Sequence, residues 1–132
     1  MIVLDASAAI ELLAAGPHAA EVRHLAEQAD WQIMAPQLLA VEVLQVLRRR
    51  VRAELTSASV ADEARVLLRW MRIRYVDHDL LTDRVWELRH NLSAYDAVYV
   101  ALAEVLDAVL LTGDAKLAGA PGHRARVKVL GS

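Results

Sequence analysis

The chain has 132 residues, the length of one domain, and at that size roughly two-thirds of the unfolded surface can be buried. Its 15 basic and 17 acidic residues leave a formal net charge of −2, which argues neither for nor against a nucleic-acid partner. The absence of cysteine excludes a disulfide frame, a thiolate metal site and a thiol nucleophile. With no apolar run of ~18 residues and no leader-like start, the protein is expected to be soluble and cytoplasmic.

Met1 to Leu4 is a short apolar run that stops at Asp5, which predicts a buried strand delivering an acid into a loop and then a helix over Ser7 to Ala14. Gly16-Pro17 breaks that helix, and His18 to Ala29 resumes a helical pattern. Gln32 to Met34 is a second strand. Pro36 is expected at the first position of the next helix, which continues through Leu38, Leu39, Val43 and Leu47 with Glu42 in its middle. Arg48, Arg49, Arg50 and Arg52 close that helix; cations suit a helix C-terminus, and phosphate contact is the alternative. Arg makes up most of the basic side, a bias toward forked contacts with phosphate or carboxylate that a GC-rich coding sequence would also produce.

Thr56 to Arg69 is a further helix, capped by Thr56 or Ser57, with Arg65, Arg69 and Arg72 on a solvated face. Ile73 to Val76 is a third strand, and Leu80 to His90 a helix carrying Trp86. Asn91 to Leu106 is the most informative stretch. Ser93 and Asp96 have the spacing of a capping box, the hydroxyl accepting an amide proton while the carboxylate reaches back. From Ala97 to Ala103 every residue is apolar or Tyr, which predicts a helix inside the core. Asp96 thus stands at the mouth of a buried helix, costly for a carboxylate unless something pairs with it. Ala108 to Thr112 is a fourth strand running into Gly113-Asp114, and Val127 to Leu130 a fifth, with a loop between them. Short apolar strands alternating with helices imply an α/β fold with a mainly parallel sheet covered on both faces.

In such a sheet, ligands bind beyond the carboxyl ends of the strands, where strand order reverses. Asp5 and Asp114 follow strands one and four; if those strands are neighbours, both acids reach one crevice that Glu42 and Asp96 would flank. Like charges gathered there repel one another unless cations relieve them. Oxygen ligands suit Mg²⁺ or Mn²⁺, and an all-acid divalent site commonly serves phosphodiester chemistry by way of activated water. Ser7 and Thr112 each lie two residues from an acid, where a hydroxyl can orient it. Neutralising Asp5 or Asp114 is then expected to stabilise the metal-free fold. The alternative is that each Asp is an ordinary cap or turn residue.

Four segments carry a resemblance: VLDASAAIELL (Val3 to Leu13), APQLLAVEVLQVLRR (Ala35 to Arg49), LSAYDAVYVALAE (Leu92 to Glu104) and LLTGDAKLA (Leu110 to Ala118). In order and spacing they resemble the PIN-domain ribonucleases, and in particular the VapC-type toxins of toxin–antitoxin modules. The resemblance covers essentially the whole chain and implies one PIN-like nuclease domain over residues 1–132. It implies an α/β/α sandwich with strand order 3-2-1-4-5. It further implies Mg²⁺-dependent endoribonuclease activity, Asp5, Glu42, Asp96 and Asp114 as metal-binding and catalytic acids, Thr112 in support, an antitoxin partner and a homodimer. Some relatives have a fifth acid after Asp114, where this chain has Ala115 and Lys116. Lys116, with Arg48 and Arg49, is a candidate RNA contact or an ordinary surface cation. Ile10, Leu12, Leu13 and Val22 are either a partner's docking surface or core.

Two rival readings stand beside this one. A Mg²⁺-dependent phosphohydrolase also places an Asp after strand one, but wants a second Asp where Ser7 stands and has no use for Glu42. A non-catalytic PIN-like protein-binding module would keep the fold with a degenerate site, against which the four acids argue.

Overall fold

The computed structural model describes all 132 residues. Five strands, β1 (Ile2–Leu4), β2 (Ile33–Pro36), β3 (Arg74–Val76), β4 (Val109–Thr112) and β5 (Val127–Val129), form one all-parallel sheet in the order β3-β2-β1-β4-β5. Parallel neighbours need crossover connections, and seven helices supply them: α1 (Ala6–Leu13), α2 (Ala19–Gln28), α3 (Leu38–Arg52), α4 (Ala58–Trp70), α5 (Thr82–Glu87), α6 (Ala94–Leu106) and α7 (Ala115–Gly119). Right-handed crossovers place α1 to α4 over one face, where α1 packs against α2, α3 and α4. On the other face α6 lies across β1, β2 and β4, with α5 outside it.

The core follows from composition. β1 is buried at all three residues because helices cover both of its faces. α6 is buried without interruption from Ala97 to Ala103, as a helix lacking a polar face must be. Ile10, Leu13 and Val22 are core residues, so they are not free to dock a partner, whereas Leu12 is only half-buried.

Three expectations need correction. Pro36 ends β2 instead of opening a helix: it pairs with Val76 at the strand terminus, where its missing N–H costs no ladder bond, and Gln37 caps α3. The stretch from Leu80 to His90 is not one helix. Asp77 captures the Asp79 amide and starts a 3₁₀ turn over His78–Leu80, and α5 follows after Leu81. Between β4 and β5 the chain is not all loop: Asp114 accepts the Lys116 amide and Leu117 is buried, enough to hold the five residues of α7.

Candidate active site

Sheet register brings the first pair of acids together. Leu4 pairs with Leu111, so Asp5 leaves β1 beside Thr112 at the end of β4, and the Asp5 amide donates to the Leu111 carbonyl at 3.2 Å. Here the strand order reverses, where parallel sheets open a crevice.

Asp5 caps α1. Its Oδ1 accepts from the Ala8 amide at 3.0 Å and from the Ser7 hydroxyl at 2.6 Å, and its Oδ2 accepts from the Thr112 hydroxyl. The same hydroxyls hold the exit of β4: the Gly113 amide donates to Ser7 Oγ at 2.8 Å and the Asp114 amide to Thr112 Oγ1 at 3.0 Å. Asp5 is only 8% exposed and Thr112 is fully buried. A carboxylate offers about four lone-pair positions. Three donors occupy all but one, and the free position is on Oδ2. Neutralising Asp5 would therefore break a satisfied buried network, contrary to the expectation that it stabilises the fold. Asp114 caps α7 through a bond that Asn can also make, so relief of repulsion remains the expected outcome there.

Glu42 and Asp96 arrive from α3 and α6. Burial raises the Glu42 carboxyl above its ordinary value; the Tyr99 hydroxyl bond works against that, the Asp96 and Asp5 charges add to it, and Arg49 offsets part. Asp96 is raised by burial, then by the Asp114 and Asp5 charges, with Ser93 opposing. Asp96 and Asp5 thus act on Glu42, and Asp114 and Asp5 on Asp96, while none of the four takes part in an ion pair. Only half of the capping box forms: Ser93 Oγ accepts the Asp96 amide at 3.2 Å, but the Asp96 carboxylate does not bond back to the Ser93 amide and stays available to the crevice.

Tyr99 is a site residue that the spacing argument missed. It is buried, and its hydroxyl donates to Glu42 Oε1 at 2.5 Å, joining α6 to α3 across the crevice. The available signal was a tyrosine in an apolar run three residues after Asp96, hence on its face of the helix; a buried tyrosine hydroxyl needs a partner.

The acids stand within electrostatic reach of one or more of the others without closing on a point. No three carboxylate or imidazole groups stand close enough together to grip one ion as placed here. Mutual repulsion keeps uncompensated carboxylates apart, and Asp5 is held back by its three donors. The donor chemistry nevertheless fits a hard divalent cation: every candidate ligand is a carboxylate or hydroxyl oxygen, without sulfur or imidazole. The arginine cluster divides. Arg49 turns toward Glu42, close enough to lower it, whereas Arg48 and Arg52 line a groove between α3 and α4 with Asp62 and Arg65. Lys116 is exposed beside Asp114 at the start of α7.

Residues 2–122 match the model of the PIN domain family. Ribonuclease VapC1 of Mycobacterium tuberculosis (strain ATCC 25618 / H37Rv) is 41% identical over 130 residues, covering 97% of this chain and 96% of that protein. Ribonuclease VapC9 of the same strain is 42% identical over 119 residues, 89% of this chain and 88% of that one. Among solved structures, a chain in the crystal structure of VapBC2 from Rickettsia felis, bound to a DNA fragment from their promoter, superposes with a TM-score of 0.72 at 14% identity. It covers 98% of this chain and 99% of that one, a likeness of fold. An uninterrupted family match, near-complete coverage by relatives above 40% identity and the 3-2-1-4-5 sheet agree: the chain belongs to the PIN-domain family, in its VapC branch.

Proposed function

We propose that this chain is a divalent-metal-dependent endoribonuclease that hydrolyses RNA phosphodiester bonds, acting in the cytoplasm as the toxin of a toxin–antitoxin module. The observation that supports it most is the set of four carboxylates without ion-pair partners near the strand-order reversal, in which Glu42 and Asp96 are raised by their acidic neighbours. Asp5, Glu42, Asp96 and Asp114 would hold Mg²⁺, with Mn²⁺ as a substitute. When bound, the ion supplies an activated water and charge stabilisation for the departing oxygen. The chain's own residues do the positioning. Ser7, Thr112 and the Ala8 amide fix Asp5 with one oxygen position facing outward. Tyr99 sets the direction of Glu42. In the metal-free protein burial and neighbouring charge raise Glu42 and Asp96, an unfavourable state of charge that a bound cation would relieve. Arg49 and Lys116 flank the acids as phosphate contacts.

Names of the relatives support RNA as substrate, and the toxin–antitoxin complex among the similar structures supports an antitoxin partner. Its seat in this reading is the apolar groove of about 510 Å³ whose accessible lining is Leu12, Trp31, Leu67, Trp70 and Met71, where Trp70 is 74% exposed. Exposed Val41 and Leu44 on α3 suit a homodimer contact. No helix is long and apolar enough to cross a membrane. The test is cleavage of total cellular RNA with and without chelator, fragment ends mapped, beside an aryl phosphate control. Metal-dependent internal cuts are expected. Turnover of the aryl phosphate alone would favour the phosphohydrolase, and no turnover of either the binding module.

A further inference from the structure

A second concavity opens beside the acids, and the proposed chemistry does not use it. His78, Thr82, Val85, Trp86, Tyr95 and Val98 wall a cavity of about 270 Å³ between the 3₁₀ turn, α5 and the start of α6. α6, which carries Asp96, borders it, and α3, which carries Glu42, is linked to it through His78. Tyr95 directly precedes Asp96, and His78 Nε2 accepts the Leu38 amide at 2.9 Å, tying the cavity to the first turn of α3, one turn ahead of Glu42. Tyr95 of the wall and Asp96 are thus consecutive on α6, and the turn that holds His78 is bonded to the start of the helix that carries Glu42.

The exposed part of the wall is aromatic. Trp86 is 67% and Tyr95 65% exposed, an unusual concession to water for two large rings side by side. The Arg89 guanidinium lies 4.6 Å from the centre of the Trp86 ring, fixing the indole and placing a positive charge beside the wall. The polar groups suit reading the edge of a planar ring. Because His78 Nε2 accepts a bond, the neutral imidazole carries its proton on Nδ1, and the Thr82 hydroxyl, donating to the Asp79 carbonyl, keeps its acceptor positions.

We infer that this cavity receives one unpaired base of the substrate RNA, stacked on the Trp86–Tyr95 wall next to the phosphate presented to the acids. The inference rests on the ribonuclease reading and adds that the substrate is single-stranded at this point, its base splayed out of any stack. A base-paired strand keeps its rings inside the helix and could not fill the wall.

Binding of a labelled short single-stranded oligoribonucleotide, in chelator and checked to be intact, tests this when an abasic residue is stepped along the strand. Wild type should lose about tenfold in affinity at one abasic position, the size of loss one base–aromatic stack carries. Trp86→Leu and Tyr95→Leu should bind the intact strand more weakly and feel little further loss at that same position, while Trp86→Tyr, which keeps a ring, should recover most of it. Equal sensitivity of wild type and both leucine variants at every position, or a flat scan in wild type, would overturn the inference. So would a dimer that falls to monomers in Trp86→Leu while the wild-type scan is flat, since the wall would then be a self-contact. Failure of the ribonuclease reading has a different signature: wild type with metal cuts no RNA, whatever the binding scan returns.

Discussion

Asp5 and Asp96 both stand at helix N-termini, yet neutralising them should have opposite effects on stability. Asp5 accepts three hydrogen bonds in a buried setting, so Asp5→Asn turns an amide N–H₂ toward hydroxyls already committed elsewhere. A cost of about 1–3 kcal/mol is expected in denaturant titrations, with RNA cleavage lost. Asp96 is raised by burial and by two neighbouring acids, so Asp96→Asn should raise the melting temperature of metal-free protein at low salt while lowering cleavage about a hundredfold or more. A destabilised Asp96→Asn would mean that its cap outweighs the repulsion. The pH dependence follows from Glu42, whose folded carboxyl is raised above 4.5. A raised acid binds its proton more tightly when folded, so the wild type gains stability relative to Glu42→Gln as pH falls from neutrality toward 4.5, and the gain levels off below it. Melting curves of the two proteins across that range check the sign. Tyr99→Phe removes the bond that aims Glu42 and should cost about tenfold in cleavage without loss of fold, the lower end of what supporting residues around metal ligands carry.

At the level of elements, α6 is anchored by a residue that has nothing to do with the crevice. Glu104 has a side chain only 3% exposed, and Arg84 of α5 grips both its oxygens, Nε to Oε1 at 2.7 Å and Nη2 to Oε2 at 3.0 Å. The Arg124 amide adds a third bond, which ties the segment before β5 to α6. The Arg84 hydrogen bond is the main reason that Glu104 lies below the usual range, against the opposing effect of burial. Glu104→Gln should therefore cost about 3 kcal/mol at neutral pH, since it leaves a guanidinium facing a neutral amide. By the linkage sign for a lowered acid, that stability is present above 4.5 and lost as pH falls through the folded value. Apolar periodicity could not show Glu104: it directly follows the run that reads as core, and its partner lies 20 residues away on another element. The arginines closing α3 also divide at this scale. Arg49→Gln should lower the salt slope of single-stranded RNA binding by about 0.7, and Arg48→Gln, turned to the α3–α4 groove, should leave it unchanged.

For the whole molecule, a cation held by the four acids as proposed would make the metal-free protein the less stable form. Added Mg²⁺ should raise the wild-type melting temperature by mass action, about 2.7 kcal/mol at a hundredfold excess over the dissociation constant, and raise that of Asp5→Asn, Glu42→Gln, Asp96→Asn and Asp114→Asn less. Equal shifts in all five proteins would mean that the carboxylates do not form one site. What the chain order determined by itself is considerable. Short apolar runs placed the strands and period-3.6 patterns the long helices, an apolar run without a polar face made α6 the central helix, and an acid at each strand end or buried helix mouth marked Asp5, Asp96 and Asp114. These are local properties, carried by residues a few positions apart. The short elements escaped, since α7 has five residues and the turn at His78 three, too few for a period to register. Tertiary structure alone decided the rest. Thr112 meets Asp5 across 107 positions and Tyr99 meets Glu42 across 57, contacts that exist only because β1 and β4 are neighbours and α6 lies across the sheet. Whether an acid is a satisfied cap or an unpaired charge depends on how many donors the fold brings to it. Asp5 has three and the Asp96 carboxylate has only Ser93 beside it, a difference set by which backbones and hydroxyls end up within 3 Å and not by anything in the flanking residues.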